Sequence, residues 1–212
     1  MSLVIVAPVW ATIITVEVTG VVDSVGTDGG LALDGSVIVG SAMTGYCTYD
    51  PDTPDANPSE NNGHYPVISI SMTVGNYTFT HDPTSSEYPF FNVYTVDPGY
   101  SLSTASRFDG TVYLDGTPQD IDWSIRSLEL MELGTDSGEY IPTDALPDLD
   151  SWPDLSVFGW RRFEVAFHKS YSYGYGDFVI SGEITSLTPT PEPATVLLLG
   201  LGSLALLRKR RT

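Results

Sequence analysis

The chain of 212 residues has a single cysteine, Cys47, and only nine lysine and arginine residues against 27 aspartate and glutamate residues. One cysteine excludes an intrachain disulfide and a cysteine-based metal cluster. The formal net charge is −18 at pH 7, and four of the nine cations stand together at residues 208–211. The other five cations face all 27 acids, so the main body repels nucleic acid and anionic lipid. We therefore predict no nucleic-acid partner.

The sequence also lacks the short motifs that identify common enzyme classes. There is no Gly-x-Ser-x-Gly, no His-Glu-x-x-His and no phosphate-binding glycine loop. His64, His81 and His168 are scattered along the chain, and we interpret them as solvated side chains rather than a three-histidine metal site. Acids are so numerous that pairs at a glycosidase separation arise by chance. We predict no catalytic residues and no enzyme activity, with a carbohydrate-active enzyme as the alternative.

Apolar and polar residues alternate with the period of two that is typical of half-buried strands. The clearest segments are residues 68–74 and 77–80, separated by Gly75-Asn76. A two-residue turn there places Val74 opposite Tyr77, with the apolar side chains of both strands on one face. The sequence therefore predicts a hairpin of defined register.

The same period predicts further strands. Alternation over residues 121–130 breaks at Ser127, which predicts a bulge in one long strand. The remaining predicted strands are residues 14–22, 36–39, 41–49, 91–96, 111–114, 163–168 and 178–185, with turns at Asp28-Gly29-Gly30, Asp34-Gly35 and Asp115-Gly116. About ten strands and no long helix before residue 194 predict an all-β domain over residues 12–187. Its architecture is an antiparallel β-sandwich (jelly-roll-like) or a barrel.

The C-terminus has a three-part pattern. Pro191, Glu192 and Pro193 break regular structure and favour an extended backbone. Residues 194–207 are apolar and uncharged; as a helix they reach about 20 Å, short of the hydrocarbon core of about 30 Å. The basic stop that follows, Arg208, Lys209, Arg210 and Arg211, stays on the cytoplasmic side, which leaves the main body across the membrane. The alternatives are an ordinary tail anchor and a buried C-terminal helix.

This tail resembles the PEP-CTERM sorting signal of Gram-negative bacteria, on its Pro-Glu-Pro triad, leucine-rich segment and basic end; Thr190 stands where valine is common. In that family exosortase, an inner-membrane cysteine protease, recognises the tail and cuts near the triad. The resemblance implies a sorting signal at residues 188–212, with residues 194–207 as the membrane segment. It also implies export across the inner membrane, transient anchoring, and transfer to the cell surface or an extracellular matrix with exopolysaccharide. It does not bear on the activity of the main body.

The N-terminus allows two interpretations. Residues 3–11 form a short apolar core, and Val9 with Ala11 fit a small-residue cleavage site before Thr12, but no charged region precedes them. Residues 1–11 are therefore a truncated signal peptide or a first β-strand.

An acidic loop at residues 50–63 suggests calcium. Asp50, Asp52, Asp55 and Glu60 offer the hard oxygen ligands that Ca²⁺ prefers, but prolines interrupt the EF-hand spacing. The alternative, which we favour, is a solvated loop rich in turns. The aspartates at positions 144, 148, 150 and 154 present the same choice. We predict no cofactor, with Ca²⁺ at this loop as the alternative.

Alternate tyrosines, Tyr171, Tyr173 and Tyr175, lie on a glycine-rich segment between two predicted strands. They either form an exposed platform for a sugar ring or cover the end of the core. The sequence as a whole predicts an exported surface or biofilm-matrix protein with a non-catalytic structural or interaction domain. The alternatives are a carbohydrate-active enzyme and a calcium-dependent polysaccharide-binding adhesin.

Overall fold

The computed structural model describes residues 13–26, 33, 35–56, 62–81, 89–96, 99–107, 110–114, 117–118, 124–135, 145–171 and 174–191. These residues form twelve strands and one short 3₁₀ helix, Leu155–Val157. The strands are β1 (Ile14–Val25), β2 (Ala42–Tyr49), β3 (Asn62–Pro66), β4 (Ser69–Val74), β5 (Tyr77–His81), β6 (Phe90–Val96), β7 (Gly99–Arg107), β8 (Gly110–Leu114), β9 (Thr117–Pro118), β10 (Ser124–Gly134), β11 (Trp160–Tyr171) and β12 (Gly174–Pro191).

All twelve strands belong to one antiparallel sheet, in the order β3-β6-β7-β10-β11-β12-β1-β2-β4-β5-β8-β9. Strand β10 also contacts β2, β4, β5 and β8, which are distant in that order. The sheet therefore curls on itself into a half-barrel around one core. The prediction of an all-β antiparallel fold is confirmed.

The core is built from the inward-facing residues of alternating strands. In β1, Ile14, Val16 and Val18 are fully buried, and the residues between them are partly exposed. In the neighbouring strands Phe167 of β11 stacks on Phe178 of β12, with ring centroids 4.4 Å apart and planes 4° from parallel. Sequence alternation thus produces one continuous apolar face along the sheet.

The predicted hairpin is confirmed as β4 and β5, with Val74 paired to Tyr77. Gly75 adopts φ = 58°, a left-handed conformation that glycine accepts without strain. One residue of this prediction is wrong: Ile68 precedes the strand and is 57% exposed. Its N–H donates instead to the carbonyl oxygen of Thr48, 2.8 Å away, which turns the chain before β4 begins.

The predicted bulge in β10 is also confirmed. The pairing of β10 with β11 runs through Ile125, shifts, and resumes at Ser127. A second irregularity lies between Glu129 and Glu132 of the same strand. It explains why Leu130 and Met131, although adjacent in sequence, are both fully buried.

The strand predicted at residues 36–39 is wrong. The segment is a pair of turns, with Gly35 at φ = 76° and Gly40 at φ = 92°. The Ile38 N–H donates to Ser41 Oγ at 3.0 Å, and Ile38 is 62% exposed. Glycines with positive φ at both ends prevent this short apolar run from joining the sheet.

Three strands were not predicted: β3, β7 and the two-residue strand β9. The last two residues of the acidic loop, 62 and 63, and the three residues after it form β3, which pairs with β6 at one sheet edge. Strand β7 pairs with β6 and β10 although its serines and small residues give no apolar alternation. The predicted turns at 28–30 and 115–116, residues 121–123 of the predicted long strand, and the N-terminal segment 1–11 lie outside the described residues.

Candidate functional site

The end of β12 is where the predicted sorting signal meets the folded domain. Strand β12 pairs with β11 up to the pair Arg162 and Glu183. It pairs with β1 all the way to its last residue, Pro191, which lies opposite Ile14. Residues 184–191 therefore take their strand pairing from β1 on one side.

The first proline of the predicted Pro-Glu-Pro triad, Pro191, belongs to the sheet. The strand runs through residues 188–191, so the predicted sorting segment begins inside β12. Glu192, Pro193, the apolar segment 194–207 and the basic residues Arg208 to Arg211 lie outside the described residues. Among the residues that the structure does describe, no helix has the length and apolar character needed to cross a membrane.

The local sequence explains why β12 continues so far. Thr188 and Thr190 are exposed, and Pro189 and Pro191 alternate with them as half-buried residues. Proline has no N–H, so the hydrogen bonds that pair this stretch with β1 use the threonine positions. The hydroxyl of Thr190 adds a further bond by donating to the carbonyl oxygen of Thr15 at 3.2 Å.

Strand β1 is held independently of β12. It pairs along its other edge with β2, where Ile14 lies opposite Tyr49 and Val16 opposite Cys47. Ile14 and Val16 are fully buried. At this end of the sheet β1 is an interior strand, whereas the end of β12 is an edge.

A shallow groove of about 360 Å³ lies beside this edge. Its walls are the segment around the 3₁₀ helix and residues 185–189 of β12, with Trp152, Leu155 and Leu187 among the lining side chains. Asp154 caps the 3₁₀ helix by accepting from the Ser156 N–H at 2.8 Å. That hydrogen bond lowers the pKa of the Asp154 carboxyl.

A buried aromatic cluster fastens this segment to the core. The hydroxyl of Tyr49 donates to the carbonyl oxygen of Pro147 at 2.6 Å and accepts from Trp152 Nε1 at 2.7 Å. Phe91 contacts both rings, at centroid distances of 5.5 Å from Tyr49 and 6.0 Å from Trp152. Burial raises the pKa of Tyr49, so its hydroxyl keeps its proton at neutral pH.

Removing the Tyr49 hydroxyl tests this attachment. We expect Tyr49→Phe to lower the free energy of unfolding by about 1–2 kcal/mol, because it leaves Trp152 Nε1 and the Pro147 carbonyl without their partner. Urea unfolding of the full chain in detergent measures the effect. Tyr46→Phe is the matched control, since Tyr46 lies on the same strand and is 44% exposed. Equal losses in the two variants would contradict the role given to the hydroxyl.

The acidic loop uses its carboxylates to fold itself. Asp50 Oδ1 accepts from the Asp52 N–H at 3.0 Å, and Asp55 Oδ1 accepts from the His64 N–H at 2.9 Å. In the described part of the chain, no group of three or more His, Cys, Asp or Glu side chains is placed to hold a metal ion. Glu60 of the predicted calcium set lies outside that part.

The aspartates after residue 144 behave similarly. Asp148 Oδ1 accepts from the Ser151 N–H at 2.9 Å and from the Asp150 N–H at 3.2 Å. In return the Asp148 N–H donates to Ser151 Oγ at 2.8 Å. These bonds define a turn that positions Trp152. Asp144 lies outside the described residues.

The predicted tyrosine platform lies only partly within the described residues. Tyr171 closes β11 opposite Gly174, and Tyr175 lies in β12 opposite Ser170; Tyr173 lies outside the described residues. The sugar platform therefore stays a prediction.

The three histidines fall on three different strands, β3, β5 and β11. His64 Nδ1 is hydrogen-bonded to Asn92 Oδ1 at 2.7 Å, and its ring packs on Phe90.

Cys47 is fully buried in β2. Burial raises the pKa of its thiol to about 12, so almost no reactive thiolate is present at neutral pH. This cysteine is therefore a packing residue.

Comparison with the curated proteins and with the solved structures gives no match. The family comparison finds one region, residues 189–211, which matches the PEP-CTERM protein-sorting motif. The match begins at Pro189, two residues inside the end of β12. This chain thus carries a PEP-CTERM sorting motif that starts within its β-sheet, and the motif implies export, transient membrane anchoring and processing by exosortase.

Proposed function

We propose that this protein is a non-catalytic structural or interaction domain of the cell surface or biofilm matrix of a Gram-negative bacterium, delivered there by exosortase processing. The observation that carries the proposal is the sorting motif at residues 189–211, directly continuous with the β-domain. No linker separates Pro191 from the sheet, so the half-barrel is the cargo that the motif delivers.

The use of the acidic side chains supports a structural role. Asp50, Asp55, Asp148 and Asp154 all accept backbone N–H groups of their own loops. Outside the basic tail only five cations stand against 27 acids, and this excess of negative charge keeps such a domain soluble and spaced from other anionic polymers. These properties suit a stable exterior domain in a hydrated, exopolysaccharide-containing matrix, the setting that the PEP-CTERM resemblance implies.

Processing is the direct test of the sorting part. Mass spectrometry of the protein from cells with the peptidase is expected to show a surface form that lacks the basic residues 208–211. Cells without the peptidase should retain the complete tail, with the protein in the membrane fraction. A surface form that still ends in the basic residues would overturn the assignment of the tail.

Calcium removal tests the proposal that the domain needs no cofactor. A bound ion would stabilise the folded state by mass action and would raise the melting temperature. Since we propose that no ion is bound, we expect the melting temperature of the full chain to move by less than about 1 °C between 1 mM Ca²⁺ and excess chelator. Magnesium at the same concentration controls for ionic strength. A clear rise with Ca²⁺ that Asp50→Asn and Asp55→Asn abolish would establish the calcium-dependent alternative.

A further inference from the structure

The sorting motif and the sheet overlap over residues 189–191. These three residues are the start of the matched motif and also the last residues of β12. They pair with residues 14–16 of β1, from Val16 opposite Pro189 to Ile14 opposite Pro191. We refer to these three residue pairs as the terminal pairs.

The direction of the main-chain hydrogen bonds decides which edge of this stretch a partner can use. In an antiparallel ladder, both main-chain groups of a residue point to the same neighbour, and successive residues alternate. Since proline lacks an N–H, the pairing with β1 uses the N–H groups of Thr188 and Thr190. The opposite edge presents the positions of Pro189 and Pro191, which offer carbonyl acceptors but no donor.

A peptidase that holds its substrate as an added strand needs donors and acceptors along the same edge. At residues 188–191 that edge already faces β1. We propose that the peptidase engages the motif only after the terminal pairs open, so the end of β12 controls access to the processing site. This inference rests on the proposed function and concerns the regulation of the same site.

The surroundings favour opening on the β12 side. Strand β1 keeps its pairing with β2 through Thr15, opposite Thr48, and through the residues on either side. Thr188 and Thr190 are exposed and Pro189 and Pro191 are only half-buried, so peeling residues 188–191 away exposes little additional apolar surface of their own. The strand end can therefore open locally while the half-barrel stays folded.

A reversible cross-link tests the proposal. Thr15 and Thr190 are register partners, and paired Cα atoms in such a ladder lie within the range that a disulfide spans. The double variant Thr15→Cys with Thr190→Cys locks the terminal pairs once the protein reaches an oxidising compartment. Cys47 does not interfere, because it is fully buried.

The matched control is Thr19→Cys with Ser186→Cys. Thr19 and Ser186 are also register partners in β1 and β12, with the same degrees of exposure as Thr15 and Thr190. This second cross-link leaves residues 188–191 free. Melting curves of both oxidised variants check that each is folded.

The full-length variants are followed in membranes that contain the peptidase, by mass spectrometry of the C-terminus. We expect the Thr15–Thr190 cross-link to slow shortening at least about tenfold, because cleavage follows the population of the open form. Reduction should restore the wild-type rate. The control cross-link should leave the rate unchanged.

A flexible eight-residue Gly-Ser insertion between Thr190 and Pro191 separates the Pro-Glu-Pro triad from the locked pairs and should restore processing of the locked variant. If the locked variant is shortened as fast as the wild type, access does not depend on the terminal pairs and the inference is wrong. If the wild-type chain is not shortened at all, the proposed function itself fails.

Discussion

Replacing Pro191, Glu192 and Pro193 together by alanine should leave the chain anchored and full length. The triad begins at Pro191, the last residue of β12, and is the part of the matched motif near which cleavage is expected. Alanines remove the fixed φ of both prolines and the one acidic side chain between them. We expect shortening to slow about a hundredfold, which corresponds to about 2.7 kcal/mol of lost recognition. Mass spectrometry of the C-terminus and membrane fractionation measure it.

The control is a triple alanine variant upstream, at Thr185, Ser186 and Thr188, which are exposed residues of the same strand. Its processing should match the wild type. Because Pro191→Ala also restores an N–H at the strand end, the double variant Glu192→Ala with Pro193→Ala separates recognition from strand pairing. If the variant with alanine at Pro191, Glu192 and Pro193 is shortened at the normal rate, the peptidase recognises other parts of the tail.

The parts of the fold that the sequence predicted correctly are those set by neighbours along the chain. The register of the β4–β5 hairpin depends on a two-residue turn, so Gly75-Asn76 and the flanking alternation suffice. The bulge in β10 leaves a local trace as well, because an extra residue changes the phase of the alternation at Ser127.

The missed strand β3 depends on a partner that lies far away in the sequence. Strand β3 contains Asn62, Gly63 and His64, which resemble a loop, and it becomes a strand only by pairing with β6. The opposite error at residues 36–39 has the same origin. Val37, Ile38 and Val39 favour a strand locally, but the two positive-φ glycines around them direct the chain out of the sheet.

The candidate site, like the fold, could be predicted from the sequence only in part. The tail could be recognised from composition, because the triad, the apolar segment and the basic end are contiguous. Its pairing with β1 could not, because Pro189 and Pro191 normally indicate the end of a strand. The alternation of Leu187, Pro189 and Pro191 with Ser186, Thr188 and Thr190 was the available signal. That alternation indicates a paired strand only once β1 is known to lie on the side to which Thr188 and Thr190 donate their N–H groups.

A close contact within the sheet occurs where Phe163 of β11 covers two glycines. Phe163 is fully buried and lies opposite Gly182 of β12. A methyl group on Gly182 would lie 2.5 Å from Phe163 Cζ and would also overlap the carbonyl oxygen of Val21. A methyl group on Gly20 would lie 3.0 Å from Cε1 of the same ring. The ring therefore occupies the space that side chains at both positions would need.

Gly182→Ala should accordingly be strongly destabilising. The Val21 carbonyl belongs to the backbone of β1 and cannot move aside as a flexible side chain would. We expect a loss of about 3 kcal/mol in the free energy of unfolding, at the upper end for overpacking. For a domain of this size that lowers the melting temperature by about 6–12 °C. Thermal unfolding of the full chain in detergent measures the change.

Two further variants separate overpacking from a general loss of strand stability. Ser186→Ala, an exposed substitution on the same strand, should stay within about 0.5 kcal/mol of the wild type. Adding Phe163→Leu to Gly182→Ala removes the aromatic ring and should make the double variant less destabilised than the sum of the two single variants. Because the overlap with the Val21 carbonyl remains, recovery should be partial. Strict additivity would mean that the ring and the glycine do not share this space, and that the tight β1–β12 contact arises from the backbone overlap alone.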